Sequence, residues 1–441
     1  MLTRTLARLF LATLLTSVTS LSFAGQLTLL EVYQLAKDAA PELALARHQV
    51  DSADSQRKVA MSRLLPQVSL FGQFSKNRIE YEADFLQPVA DFPGQRYGVQ
   101  IKQPLLTVSD GLEATRLKLK WQESKSALSV TETQLLLDLI AGYFDVLLAD
   151  EEANEYKTEL DAVERQLEEA NALFARKLVR LTDVLEIQSR LDSLRADVIM
   201  ARGKQAIARE GLYAFTGIRG IDPRPITENF SLFSRFSSAD AAADEARSQN
   251  PAITTAEIAV SATEKAIDRE RAKWVPKLEL MYSLQRSDVG FDNTQSPTRD
   301  TSTIALGFNY PLFEGGARSA RLQGARADFY AAKVRLQAAI RDSESRARAA
   351  WLNLQAAAER VIAARQAQSS AGIQVAASRK AAKSGAATLS DVLMALAQET
   401  TAKRRFAVAR FEYAMSWIDL ELAAGASPLH LAEQLSDLLH Q

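Results

Sequence analysis

The chain of 441 residues carries 53 Lys and Arg against 54 Asp and Glu, three His and no Cys. Without Cys there are no disulfides, no thiolate metal sites, no Cys nucleophile and no lipid attachment through an N-terminal Cys. A net charge of −1 with the two signs interleaved supplies no clustered basic face for nucleic acid. His48, His430 and His440 sit in ordinary amphipathic sequence and read as solvated surface residues, so neither a metal site nor a cofactor is expected.

Residues 1–24 read as a secretory signal. Arg4 and Arg8 precede the apolar run Leu9–Leu15, and Ser22 and Ala24 occupy the small-residue places of a cut before Gly25. No later window holds the run of about 18 apolar residues that a membrane-spanning helix requires. Any insertion into a bilayer must therefore use strands.

The remainder is a tandem repeat punctuated by prolines. Pro41 opens a helical pattern that reaches Pro66, Pro251 opens another that reaches Pro276, and both offsets are 210. Tyr97–Pro104 aligns with Ile304–Pro311 at 207, and Thr182-Asp-Val-Leu185 with Ser390-Asp-Val-Leu393 at 208. The first unit, 25–217, reads as a helix, strands near 67–77 and 96–103, a long helix 112–176, a tight turn and a helix 182–217. A segment 218–248 follows. The second unit, 249–424, repeats the order with strands near 277–286 and 303–312 and helices 318–383 and 388–423, before a tail 425–441. Each long helix of about 65 residues spans ~100 Å, and two shorter helices stacked end to end nearly match it, as a wall of uniform height needs. The Ala-rich second half lets backbones approach closely, and stripes on more than one face let one helix touch two neighbours. A closed ring satisfies both conditions; the helices alone fit an antiparallel coiled-coil scaffold equally well.

The strands separate those readings. Val68, Leu70, Gly72 and Phe74, then Leu278, Leu280, Tyr282 and Leu284, alternate with mostly polar residues, and the return strands place Tyr97, Val99 and Ile101, and Ile304, Leu306, Phe308 and Tyr310, in the same rhythm. Alternation over about ten residues is the pattern of a transmembrane barrel strand. Val68, Leu70, Phe74, Leu278, Leu280, Tyr282, Leu306 and Phe308 are the expected lipid-facing residues. Four strands cannot close a barrel, and open edges cannot sit in lipid. A trimer supplies twelve strands and twelve helix columns around a passage ~38 Å across between helix axes. The loops 78–95 and 286–301 read as the outer ends; Trp274 is either an interface anchor or an ordinary buried Trp at a helix end.

The doubled helix–strand–strand–helix order, the segment Tyr310-Pro-Leu-Phe-Glu-Gly-Gly-Ala-Arg318 and the two turn motifs resemble the outer membrane factor family, the TolC-like efflux and secretion channels. The resemblance implies a homotrimer with a twelve-stranded β-barrel in the outer membrane and a twelve-helix tunnel through the periplasm. It also implies a mid-tunnel belt, here 218–248 and the tail, and docking onto a periplasmic adaptor and an inner-membrane transporter. The family's periplasmic tip maps onto Arg176–Asp183 and Ser384–Asp391. Leu178, Val179, Gly385, Ala386 and Thr388 are then the expected adaptor contacts, and Asp391, Thr182, Asp183, Arg180 and Lys177 the aperture or gate.

Three departures matter. Lys177 replaces the turn Gly of the first tip, Ala382 and Ala387 stand where the best-known members carry the Tyr and Arg partners of the Thr-Asp pair, and Met394 replaces one acidic ring. A less tightly latched tip follows, unless Arg180 or Lys177 substitutes. Thr182 with Asp183, and Ser390 with Asp391, alternatively read as plain helix caps. No phosphate loop, HExxH or nucleophile elbow points to an enzyme. A periplasmic coiled-coil adaptor or scaffold without a pore is the competing class.

Overall fold

The computed structural model describes residues 26–80, 89–227, 232, 234–289 and 295–440. The expected signal 1–24, residues 81–88 and 290–294 of the expected outer loops and residues 228–231 and 233 of the expected belt lie outside them, as does the side chain of His440. In chain order the elements are α1 (Leu29–Ala39), α2 (Pro41–Ser62), β1 (Gln67–Glu80), β2 (Val89–Leu106), α3 (Val108–Ala175), α4 (Leu181–Thr216) and α5 (Ala239–Gln249). Then come α6 (Pro251–Ala272), β3 (Lys277–Val289), β4 (Gln295–Asn309), α7 (Ala317–Lys383), α8 (Leu389–Ala423) and α9 (Pro428–His440).

Local chemistry sets the boundaries. Pro41 and Pro251 each stand in the first turn of a helix, where the missing N–H would have had no partner. Thr28 and Glu31 form a reciprocal capping box on α1, and the Asn250 side chain accepts from Ala252 N–H at the start of α6 (2.9 Å). α3 runs unbroken for 68 residues and α7 for 67; at 1.5 Å per residue each is a rod of ~100 Å.

The helices form a wall of four columns. α2 packs along the first half of α3 and α4 along the second, while α6 and α8 flank α3 on the other side and α7 packs beyond them. Arg190–Glu159 (2.5 Å) and Lys204–Glu152 (3.1 Å) tie α4 to α3, and Arg410–Glu151 (2.7 Å) ties α8 to α3. The largest apolar core lies at mid-height. There Leu29, Val32 and Tyr33 of α1 and Leu431 and Leu435 of α9 pack on Leu136, Leu139, Ile140 and Tyr143 of α3 and on Phe411 and Ile418 of α8. The Tyr143 hydroxyl lies between the carbonyls of Leu27 (3.1 Å) and Arg224 (2.9 Å), fixing the start of the chain beside the segment after α4. Burial drives that phenol well above its ordinary pKa, and Tyr33 is pushed up to about 12 by burial and then by the Glu132 charge.

The four strands make one antiparallel sheet in the order β1-β2-β3-β4. They run farther outward than the sequence pattern indicates: Pro93, expected in a loop, pairs with Lys76, and Pro297 lies inside β4. Alternation fades there because both faces turn polar, whereas the backbone ladder continues regardless of side chain. At the other end β4 stops at Asn309, short of the expected 312. Pro311 has no N–H to continue the ladder, and Gly315 and Gly316 turn the chain into α7 at φ +56° and +83°.

Candidate functional site

The strand register settles which side chains share a face, because residues directly opposite one another project together. Val68–Ile101–Tyr282–Ile304 form one row across all four strands, with Leu70–Val99–Leu284 above it and Leu278–Phe308 and Leu280–Leu306 below. Leu70, Phe74, Ile304 and Phe308 are 83%, 79%, 74% and 68% exposed. All eight residues expected to meet lipid lie on this face. Gln67, Ser69, Gln73, Lys102, Gln100, Ser283, Gln285 and Thr303 lie on the other. One side of the sheet is thus oily and the other wet, with unpaired backbone edges along β1 and β4.

Below the sheet the helix ends are braced by alternating charge. Arg116, Glu113, Arg269, Glu270 and Lys273 form a continuous chain of contacts between 2.6 and 2.8 Å. Hydrogen bonds from Arg116 and then Arg269 hold the Glu113 carboxyl down at about 2, against the opposing effect of burial. Burial would raise Glu270, yet bonds from Lys273 and Arg269 outweigh it and leave its pKa lowered. Trp274 is half exposed rather than buried at its helix end, with the Arg318 guanidinium 5.4 Å over its ring. That guanidinium also stacks on Tyr310 (5.9 Å) and donates to the Pro311 carbonyl.

The two turns at the far end close in the same way. Leu178 N–H donates to Leu173 O (3.0 Å) and Lys177 N–H to Phe174 O (2.8 Å), while Ala386 N–H donates to Ala381 O (2.9 Å) and Gly385 N–H to Ala382 O (3.1 Å). Both are Schellman turns, which need one left-handed residue. Gly385 supplies it at φ +74°, and Lys177, a residue with a Cβ, supplies it at φ +62°. Leu178, Gly385, Ala386 and Thr388 are exposed and Val179 is half buried against the tip cluster.

The helix caps fall two places before Thr182 and Ser390, at Arg180 and Thr388, with Asp183 and Asp391 as their reciprocal partners. Thr388 is the N-cap of α8: its hydroxyl accepts from Asp391 N–H (3.2 Å), and the Asp391 carboxylate accepts from Thr388 N–H and hydroxyl (2.8 Å each). In the first turn the Asp183 carboxylate accepts from Arg180 N–H (3.2 Å) and the Arg180 guanidinium (3.0 Å). Thr182 and Ser390 lie inside the first turns and are not caps. The Arg180 guanidinium, bonded first, and its N–H hold Asp183 below the usual carboxylate range; the Thr388 N–H and hydroxyl do the same for Asp391. Within one chain Arg180 is thus paired inside its own hairpin. The contact between hairpins is one that sequence reading missed: Ser390 Oγ donates to Glu186 Oε1 at 2.6 Å, beside a longer Gln166 Nε2 to Leu389 O contact of 3.5 Å. The partners lie 204 residues apart, and no local motif links them.

Comparison with known proteins agrees with this architecture. The outer membrane efflux protein profile matches residues 32–218 and 242–426, once for each repeat. The outer membrane protein TolC of Vibrio cholerae is 26% identical over 95% of this chain and 94% of its own length. The alkaline protease secretion protein AprF of Pseudomonas aeruginosa is 24% identical over 90% of this chain and 84% of its own. The solved structure of CusC superposes with a TM-score of 0.79 at 17% identity, covering 94% of this chain and 96% of that one. These likenesses give no support to the adaptor or scaffold alternative. A duplicated strand-and-helix wall with an oily sheet face, matched by the efflux profile in both halves, makes the chain a member of the outer membrane efflux protein family, an export channel of the outer membrane.

Proposed function

We propose that three copies close head to tail into one pore, twelve strands in lipid continuing into twelve helix columns. The observation that carries this is the sheet, which has one predominantly apolar face, from the Leu278–Phe308 pair to the Leu70–Val99–Leu284 row, and two open edges that lipid cannot satisfy. The edges are unlike and so suited to a rotational ring: β1 with α2 and α4 on one side, β4 with α7 on the other. Exposed apolar residues mark both borders, Leu45, Val59, Ile199 and Ile207 on the first, and Tyr330, Val334, Ile362 and Ile373 on the second.

In this reading Val68, Leu70, Phe74, Leu278, Leu280, Tyr282, Leu306 and Phe308 meet lipid. The two hairpin turns form the periplasmic tip, with Leu178, Val179, Gly385, Ala386 and Thr388 toward an adaptor. Three Asp391 carboxylates ring the aperture, near Thr182, Asp183, Arg180 and Lys177. Residues 1–24 direct export and are removed, and 218–248 with 425–441 form the belt at mid-height. An inner-membrane transporter supplies energy and selects cargo, and the channel conducts without covalent chemistry. Drugs and unfolded proteins are both candidate cargo; the secretion roles named for AprF and for the Dickeya chrysanthemi protein PrtF favour protein export.

Outer-membrane fractions run unheated on a denaturing gel test the assembly. A heat-sensitive band at three times the chain mass, conducting in planar bilayers, is expected. A freely soluble monomer overturns the reading.

A further inference from the structure

We propose that the wall just below the sheet carries a basic collar facing the pore, and that it attracts carboxylate-rich cargo such as an acidic stretch of unfolded polypeptide. The proposal rests on the trimeric-pore reading above and adds to it a sign of charge and a class of solute.

A groove of about 600 Å³ between α3, α6 and α7 is lined by Arg116, Lys120, Arg269, Lys273, Arg321 and Arg335 against only Glu270 and Asp328. Through Arg269 and Lys273 it joins a second groove of about 500 Å³ that reaches Lys277 and Asn309 at the foot of the sheet. Those two residues decide which way the grooves open. Lys277 pairs with Asn309, one place out of phase with the Leu278–Phe308 pair, so both belong to the polar face. If the apolar face meets lipid, the polar face lines water, and the grooves that continue from it open into the pore.

Depth separates the signs in part. The Glu270 side chain is 4% exposed and that of Glu113 15%, while Arg321, Lys277 and Lys120 are 53%, 45% and 40% exposed. Asp328 is exposed, and Arg321, Lys277 and Lys120 pair with Glu314, Asp110 and Glu123, so the positive sign rests on the six cations that line the first groove against its two carboxylates. Arg335 has no carboxylate partner among the described residues. Three copies turn this into a ring of positive charge, and a carboxylate passing within the screening length of ~8 Å feels it. The cations stand along a groove about 600 Å³ in volume on three helices rather than around one point, which suits recognition of net charge along a moving chain rather than of one ligand.

The absence of Cys makes the test clean, since a single introduced thiol is the only target for modification. Arg321→Cys and Arg335→Cys variants of the full-length protein, checked as intact oligomers on unheated gels, are reconstituted in planar bilayers. Treatment with 2-sulfonatoethyl methanethiosulfonate should change the current and shift the reversal potential in a KCl gradient toward cation preference. In parallel, poly-L-glutamate should block the wild-type channel more strongly than poly-L-lysine of equal length. The Arg321→Glu/Arg335→Glu double variant should weaken that block by about tenfold. Thiols that react while current and selectivity stay unchanged would mean that the grooves open away from the pore, and equal block by the two polymers would remove the charge preference; either overturns the collar. Wild-type protein that inserts as an oligomer yet passes no current refutes the pore reading itself, a distinguishable failure.

Discussion

Lys177 occupies the one turn position where a side chain carries a conformational cost, and the duplicated fold supplies its own control at Gly385. A left-handed backbone costs a residue with a Cβ about 1–2 kcal/mol. Replacing Lys177 by Gly relieves that cost but returns about 0.5–1 kcal/mol of entropy to the unfolded chain, so Lys177→Gly should stabilise the first tip by about 0.5–1 kcal/mol. The converse Gly385→Lys should destabilise the second by a similar amount. A Cβ there meets no atom within 4 Å, so the loss is conformational and not steric. Hydrogen exchange at the amides that close the two turns, Leu178 and Ala386, reads the effect directly. Exchange at Leu178 should slow roughly two- to fivefold in Lys177→Gly, and exchange at Ala386 should accelerate by a comparable factor in Gly385→Lys. Faster exchange at Leu178 in Lys177→Gly would refute the strain argument, and would mean that the Lys177 side chain stabilises the turn by more than its backbone costs.

Three further outcomes are expected. Leu70→Arg places a charge on the oily face and should cost about 2–4 kcal/mol near the bilayer centre, seen as loss of the assembled band, whereas Thr303→Arg on the wet face should assemble normally. The Asp391 carboxyl is held below its unfolded value by Thr388, so its capping contribution is fully present above about pH 4 and is lost as pH falls through the lower folded value. Helix α8 should therefore fray at its start only in strong acid, and Asp391→Asn should abolish that dependence in exchange measurements across pH. Ser390→Ala removes the short bond to Glu186 between the hairpins and should raise the open fraction of single channels, with Glu186→Gln showing a smaller effect because an amide oxygen still accepts; unchanged conductance in both would remove this bond from the closing of the tip.

Much of the architecture was legible because proline and alternation are strong local signals. Pro41, Pro66, Pro251 and Pro276 mark helix starts and strand starts at one offset, and the period-two pattern from Leu278 to Leu284 identifies the oily face without reference to any partner strand. The outer reaches of the strands were not legible, since residues such as Lys76 and Pro93 pair through backbone groups that side-chain pattern does not report. The adjacent hydroxyl and carboxyl of Ser390 and Asp391 invite a cap reading of which only Asp391 takes part, because the reciprocal bond of Thr388 with Asp391 depends on where the preceding Schellman turn releases the chain. The Glu186–Ser390 contact had no sequence signature at all; it exists because α4 and α8 both pack on α3 and touch each other at its far end.

The two borders of the wall are different surfaces, β1 with α2 and α4 against β4 with α7. A subunit damaged along one border still docks through the other, so it joins a growing arc and then halts it. Such lesions should behave as dominant poisons of mixed assemblies when expressed beside the intact gene product, whereas a subunit damaged along both borders is merely excluded and harmless.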